Sequence, residues 1–236
     1  MSKAIATEHL GFTVAEMPHI IIRNPVGVVD VVAGEANLVS IRATREARSF
    51  SEEQAQRDLA EITVSAEQNG NVVTIEVSLG EPFPPMSQRQ AHLLVTVPAR
   101  ANLDADVKVG RLHTYGLEGR VLAQVATGKA ELRRVTLAEQ SRLRVYTGKV
   151  ELDGALTAGA SLDVQVNVGG IALRLPSATY THLDASARIG GVEISGWPVA
   201  VRRHNLGASA SGDMSPEPVG ALSLQTDVGG VSLSAY

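Results

Sequence analysis

Apolar and polar residues alternate with period two along most of the chain, and the clearest stretches sit on either side of recurring glycines. Six short phrases share the pattern: Val109-Gly-Arg-Leu, Thr127-Gly-Lys-Ala, Thr147-Gly-Lys-Val, Val168-Gly-Gly-Ile, Ile189-Gly-Gly-Val and Val228-Gly-Gly-Val. With Gly110, Gly128, Gly148, Gly169, Gly190 and Gly229 as markers, the spacings are 18, 20, 21, 21 and 39. The last splits into 22 plus 17 if Gly212 marks a degenerate copy, which gives seven markers. Three residues before the markers stand Val107, Val125, Val145, Val166, Ala187 and Thr226, and two after them Leu112, Ala130, Val150, Ile171, Val192 and Val231. Each copy therefore reads as a strand, a glycine corner and a second strand, with one apolar face.

A unit of about 20 residues with a single apolar face cannot bury that face alone, so copies must stack. The expected fold class is all-β: a β-solenoid, β-helix-like, of about seven rungs over residues 98–236, behind a β-rich N-terminal cap over residues 1–97, the two forming one elongated domain. Strands are expected at Pro25-Val-Gly-Val-Val-Asp-Val-Val, Ala36–Arg42, Glu61–Ala66, Asn71–Val77 and His92–Val97, with Asn69-Gly70 as a hairpin turn. One short helix is predicted near 51–60, where Ser51-Glu-Glu-Gln54 forms a capping box. Phe83-Pro84-Pro85 breaks the chain after these strands.

Composition fits this picture. Of 236 residues 44% are hydrophobic but only 3% aromatic, as expected of a narrow coil filled by ladders of Val, Leu, Ile and Ala. There is no cysteine, so disulfides, thiolate metal sites and cysteine nucleophiles are excluded. No apolar run approaches the roughly 18 residues of a membrane span, and Glu8, His9 and Glu16 interrupt any leader-like segment. The expected location is cytoplasmic, or the cell surface if a leader has been removed.

The sequence resembles a bacterial family catalogued as "putative adhesins", a β-strand-repeat domain of unknown function. The resemblance spans residues 20–236 and rests on Asn24-Pro-Val-Gly-Val-Val-Asp-Val, the helix near 51–60, His92-Leu-Leu-Val-Thr-Val-Pro98 and the Gly-Gly-Val/Ile corners. It implies a non-catalytic binding or structural domain and carries over no catalytic residue.

Candidate chemistry is sparse. The histidines at 9, 19, 92, 113, 182 and 204 form no metal-ligand spacing, and neither a metal nor a cofactor is expected. Glu131, Glu151 and Glu193 share the slot three residues after the corner, with Lys129 and Lys149 beside the first two. That set would serve a carbohydrate-active β-helix enzyme, but solvated charge mixing is the simpler reading, so the chain is expected not to be an enzyme.

Lys plus Arg against Asp plus Glu count 8 to 12 in residues 1–100, 9 to 5 in 101–150 and 4 to 8 in 151–236. The middle block, with Lys129, Arg133, Arg134, Arg142, Arg144 and Lys149, is a candidate polyanion surface, although nucleic acid is disfavoured because no rings interleave. Trp197, with Arg202 and Arg203, forms a candidate contact loop for a glycan or protein partner. The copy at Val228–Tyr236 reads as an uncapped final rung, which would permit homo-oligomers or a self-assembling scaffold.

Overall fold

The computed structural model describes residues 1–80, 87–179 and 181–236, so the predicted break at Phe83-Pro84-Pro85 lies outside the described residues. The described residues are all-β with one short helix, and their 17 strands, among them the two-residue β8 (Glu118–Gly119), join in one large open sheet.

The long strands fold at their glycines. Strands β2 (His19–Gly34), β7 (Asn102–Tyr115), β9 (Val121–Leu137), β10 (Gln140–Leu156) and β11 (Ser161–Leu175) pair in parallel, in that spatial order. Register is kept by the glycines themselves, as Gly27, Gly110, Gly128, Gly148 and Gly169 lie opposite one another in turn. On either side of this column the inward residues are buried, among them Val107, Val125, Val145 and Val166 before it and Leu112, Ala130, Val150 and Ile171 after it. Each Val, Leu or Ile of these ladders contributes about 1.5–3 kcal/mol when fully buried.

The order then departs from the chain order. After β11 come β12 (Thr181–Ile189) and β13 (Val192–Ser195), β14 (Val201–Arg203), β15 (Ala208–Asp213), and finally β16 (Gly220–Val228) and β17 (Val231–Ala235). In space, β16 and β17 lie between their predecessors: β16 pairs in parallel with β11 on one side and β12 on the other, and β17 likewise with β11 and β13. The glycine column thus continues through Gly229 to Gly190.

Two expectations are corrected here. The copy at 228–236 is not an uncovered rung, because both of its edges are used in pairing. Gly212 is not a corner, because β15 runs antiparallel to β12 and covers its outer edge, with β14 antiparallel beyond it. The seventh glycine of the column is Gly27, within the stretch read as a cap.

At the other end, the outer edge of β2 is covered in two halves. Strand β5 (Val72–Ser78) pairs with His19–Arg23 and β6 (Gln88–Pro98) with Val29–Gly34. Strand β4 (Thr63–Asn69) returns on β5 through the Asn69-Gly70 turn, where Gly70 has φ 59°. Strands β3 (Leu38–Ser49) and β1 (Ser2–Thr13) extend β6 in antiparallel fashion. Helix α1 (Glu52–Ala60) packs on β3 and β1, and Ser51 Oγ caps it by accepting from Gln54 N at 3.2 Å. Its buried Asp58 pairs with the equally buried Arg89 of β6 at 2.9 Å.

Candidate functional site

The outward residues of the first arm of each copy form a paired sheet face, and near β14 and β15 this face becomes the floor of a groove. Gln165 and Asn167 come from β11, Gln225 and Asp227 from β16, and Ser186 and Arg188 from β12, in parallel register across the three strands. The β14–β15 hairpin forms a wall. Its turn closes by His204 N donating to Gly207 O at 2.8 Å, and it is tied to the stack by Gly190 N donating to Leu206 O at 2.8 Å. The groove is open and holds about 940 Å³, within the range of sites for small molecules.

The groove mixes polar and apolar surface in about equal parts. His204 Nε2 and Ser209 Oγ lie 3.0 Å apart, and Arg188 pairs with Asp227 at 3.4 Å. Arg203, on the wall, has no carboxylate partner among the described residues and is exposed. Its apolar lining comes from Val166, Ala187, Ala208 and the exposed Leu206.

The hairpin is fastened by a second contact. His182 Nδ1 of β12 sits 2.5 Å from Asp213 Oδ1 of β15, with Asp184 on the other ring nitrogen at 3.8 Å. The hydrogen bond to Asp213, reinforced by the charges of both carboxylates, raises the imidazole above its usual value. A raised folded-state value means that the fastening is complete below the ordinary histidine pKa of about 6.5 and is lost as pH rises through the higher folded value. Amide exchange in Ala208–Asp213 is therefore expected to speed up over that window, beyond its intrinsic pH dependence. The same window should be silent in His182→Asn; an unchanged profile in that variant would refute the assignment.

The basic residues of the middle block do not form one open surface. Lys129, Arg133 and Lys149 stand on the second arm, past the glycine corner, and Arg142 and Arg144 on the first. Lys129 contacts Glu131 at 2.8 Å and Glu151 at 2.9 Å, Arg133 contacts the same pair at 2.9 and 3.3 Å, and Lys149 reaches Glu151 at 3.2 Å. Arg142 pairs with Asp163 at 3.2 Å. Arg134 is the extra residue of a bulge in β9, with φ 52°, which carries its guanidinium over the ring of Tyr115 at 5.5 Å. Arg144 Nε is shielded from solvent without a hydrogen-bond partner.

The carboxylates of this cluster are likewise committed. The hydrogen bond from Lys129, against the opposing effect of burial and with help from Arg133, pulls the Glu131 carboxyl down to about 2. Glu151 is lowered chiefly by Lys129 too. Glu193 does not extend the pair, since Ala172 and Ser232 occupy the slots between it and Glu151.

Trp197 is also corrected. Its ring is packed into the core at 9% exposure, and Nε1 donates to Ser177 O at 3.2 Å, so no face is offered to a sugar. Arg202 and Arg203 are exposed. The groove as a whole was not foreseen: its residues come from four separated segments, and only Arg203 was among the sequence candidates.

Among the described residues no helix is long and apolar enough to cross a membrane. No protein-family model and no curated protein matches the chain. Solved structures do. A "putative cell adhesion protein" from Clostridium sporogenes superposes with a TM-score of 0.52 at 10% identity, over 98% of this chain and 100% of that one. A "putative adhesin" from Bacteroides fragilis aligns over 98% of both chains at 13% identity and TM-score 0.38. The fold is thus shared with that Clostridium protein.

Proposed function

We propose that the chain is a non-catalytic β-solenoid that binds a hydroxyl-rich, acidic partner, a glycan, in the groove between β11, β16, β12 and the β14–β15 hairpin. The observation that carries this reading is the groove's chemistry: in-register amide and hydroxyl side chains on a floor whose backbone groups are already paired, beside Arg203, which has no carboxylate partner among the described residues. A peptide recognised by β-strand addition uses a free edge, and the three floor strands have none, each being paired on both sides. A polyphosphate requires several free cations, and here Arg188 is paired. Hydroxyl groups suit the amides of Gln165, Gln225 and Asn205, and one carboxylate suits Arg203.

The solenoid reading is supported by the column of seven glycines and its flanking ladders. Ion-paired, ionised Glu131 and Glu151 supply no general acid, which favours binding over catalysis. The cell-adhesion name of the Clostridium neighbour agrees with an adhesive role at a cell surface.

The test is backbone-amide NMR with an oligogalacturonate and with neutral dextran as probes. Shifts are expected to cluster on groove residues for the acidic probe, and Arg203→Ala is expected to weaken its binding about tenfold or more, as loss of a charged hydrogen bond predicts. Shifts scattered outside the groove, or none with either probe, would rule the reading out.

A further inference from the structure

The groove ends over β11, but the sheet face that forms its floor runs on. The row Ser186, Gln225 and Gln165 continues in register to Arg144 of β10, and Tyr146, two residues further along that strand, stands beside Asn167 on the same outward face. Resting on the glycan reading of the groove, we infer that Arg144 and Tyr146 form a further subsite, which takes one more uronic acid unit of a linear acidic glycan, its ring on Tyr146 and its carboxylate on Arg144. The glycan then lies across the strands, along the stack.

The surroundings of the groove set that direction. The β14–β15 hairpin closes the floor on the β12 side. Along the strands, one side carries the carboxylates Asp163 and Asp184, which have the ligand's own sign, and the corner side carries the exposed apolar row Val168, Val228 and Ile189, which gives hydroxyl groups no partner. The remaining way out passes over β11 onto β10. That step is one strand spacing, about 4.8 Å, comparable with the advance of one sugar unit along a linear chain.

Arg144 is the cation left over on this face. On the outward side of the first arms from β7 to β12, Lys108, Arg142 and Arg188 hold Asp106, Asp163 and Asp227 at 2.7, 3.2 and 3.4 Å. Arg144 has no carboxylate partner among the described residues, its Nε makes no hydrogen bond, and its neighbours across the sheet are the neutral Gln124 and Gln165. A guanidinium so placed suits a carboxylate from outside the chain. Tyr146 is 47% exposed, and the position beside it on β9 is the small Ala126, so one flank of the ring is open. An open tyrosine ring offers the C–H face of a sugar a flat apolar surface, and Arg144 is about 6.6 Å away along the strand, Cα to Cα.

The test is calorimetric titration of the intact chain with galacturonate oligomers of three and six units, with backbone-amide shifts as the map. Three units span β12, β16 and β11, whereas six also reach β10. The hexamer is expected to bind at least about tenfold more tightly than the trimer, above the roughly fourfold that its overlapping trimer frames supply, and to shift the amides of residues 144–147. Tyr146→Ala and Arg144→Gln should each reduce that advantage to the statistical level and leave trimer binding unchanged, which also reports an intact fold, while Tyr146→Phe should retain it. A parent that gains no more than the statistical factor, with groove shifts present, would overturn the subsite and leave the glycan reading standing. So would a hexamer advantage that survives both substitutions. No groove shift with either oligomer would remove both.

Discussion

Gly148→Ala is expected to cost about 5 kcal/mol or more, the range reserved for severe disruptions, and to leave the chain largely unfolded or aggregated. Gly148 has φ 141°, and an added Cβ would sit 1.7 Å from Gly128 O and 2.8 Å from its carbonyl carbon. Both are backbone atoms of the neighbouring strand and cannot swing aside, so relief requires parting β9 from β10. That separation would break the ladders Val125–Val145 and Ala130–Val150 together. A matched control is Gly70→Ala, where φ is 59° but nothing lies within 4 Å; only the left-handed penalty of about 1–2 kcal/mol is expected there. Denaturant unfolding of the two variants beside the parent separates close backbone approach from conformational preference. Comparable midpoints for the two alanines would show that the column tolerates a methyl group.

This steep dependence on one atom explains what could be read from sequence. Where each corner must be glycine and its neighbours must alternate, the corners are visible as spacing, and Gly110, Gly128, Gly148, Gly169, Gly190 and Gly229 do share one column. Gly27 escaped the pattern because residues 35–101, with β3, β4, β5, β6 and α1, intervene before the next copy. Gly212 fitted the period by chance, in a strand of opposite direction. Spatial order was hidden for a physical reason: all copies present similar Val, Leu and Ala edges, so periodicity says that copies stack but not which copy meets which. The groove inherits that blindness, because Gln165 and Gln225 become neighbours only through the insertion of β16. Trp197 was misjudged because its Pro-flanked segment reads as a loop, whereas the ring fills a gap in an otherwise small-residue core.

Asp58→Leu is expected to cost about 3–5 kcal/mol, the range for breaking a buried ion pair by removing one partner. Burial by itself pushes the Asp58 carboxyl up, but hydrogen bonds from Ser87, Arg89, Ser49 and Gln54 outweigh it and hold the group well below the usual carboxylate range. Asp58 and Arg89 are 1% and 5% exposed, so in the single variant the guanidinium remains buried while its carboxylate is gone. Arg89 also donates to Leu79 O at 2.8 Å, which joins helix α1, β6 and the end of β5 through one side chain. The double variant Asp58→Leu/Arg89→Met is expected to be more stable than Asp58→Leu alone, because a methionine packs in the apolar surroundings without needing the Asp58 carboxylate. Because the folded-state pKa is depressed, the pair's contribution is present above the unfolded aspartate value of about 3.9 and fades as pH falls towards the lower folded value. Equilibrium unfolding at pH 7 and below pH 4 measures both effects: the parent should lose stability on acidification more steeply than the double variant. Strictly additive losses in the double variant, or equal acid sensitivity of parent and double variant, would show that the pair does not couple the helix to the sheet.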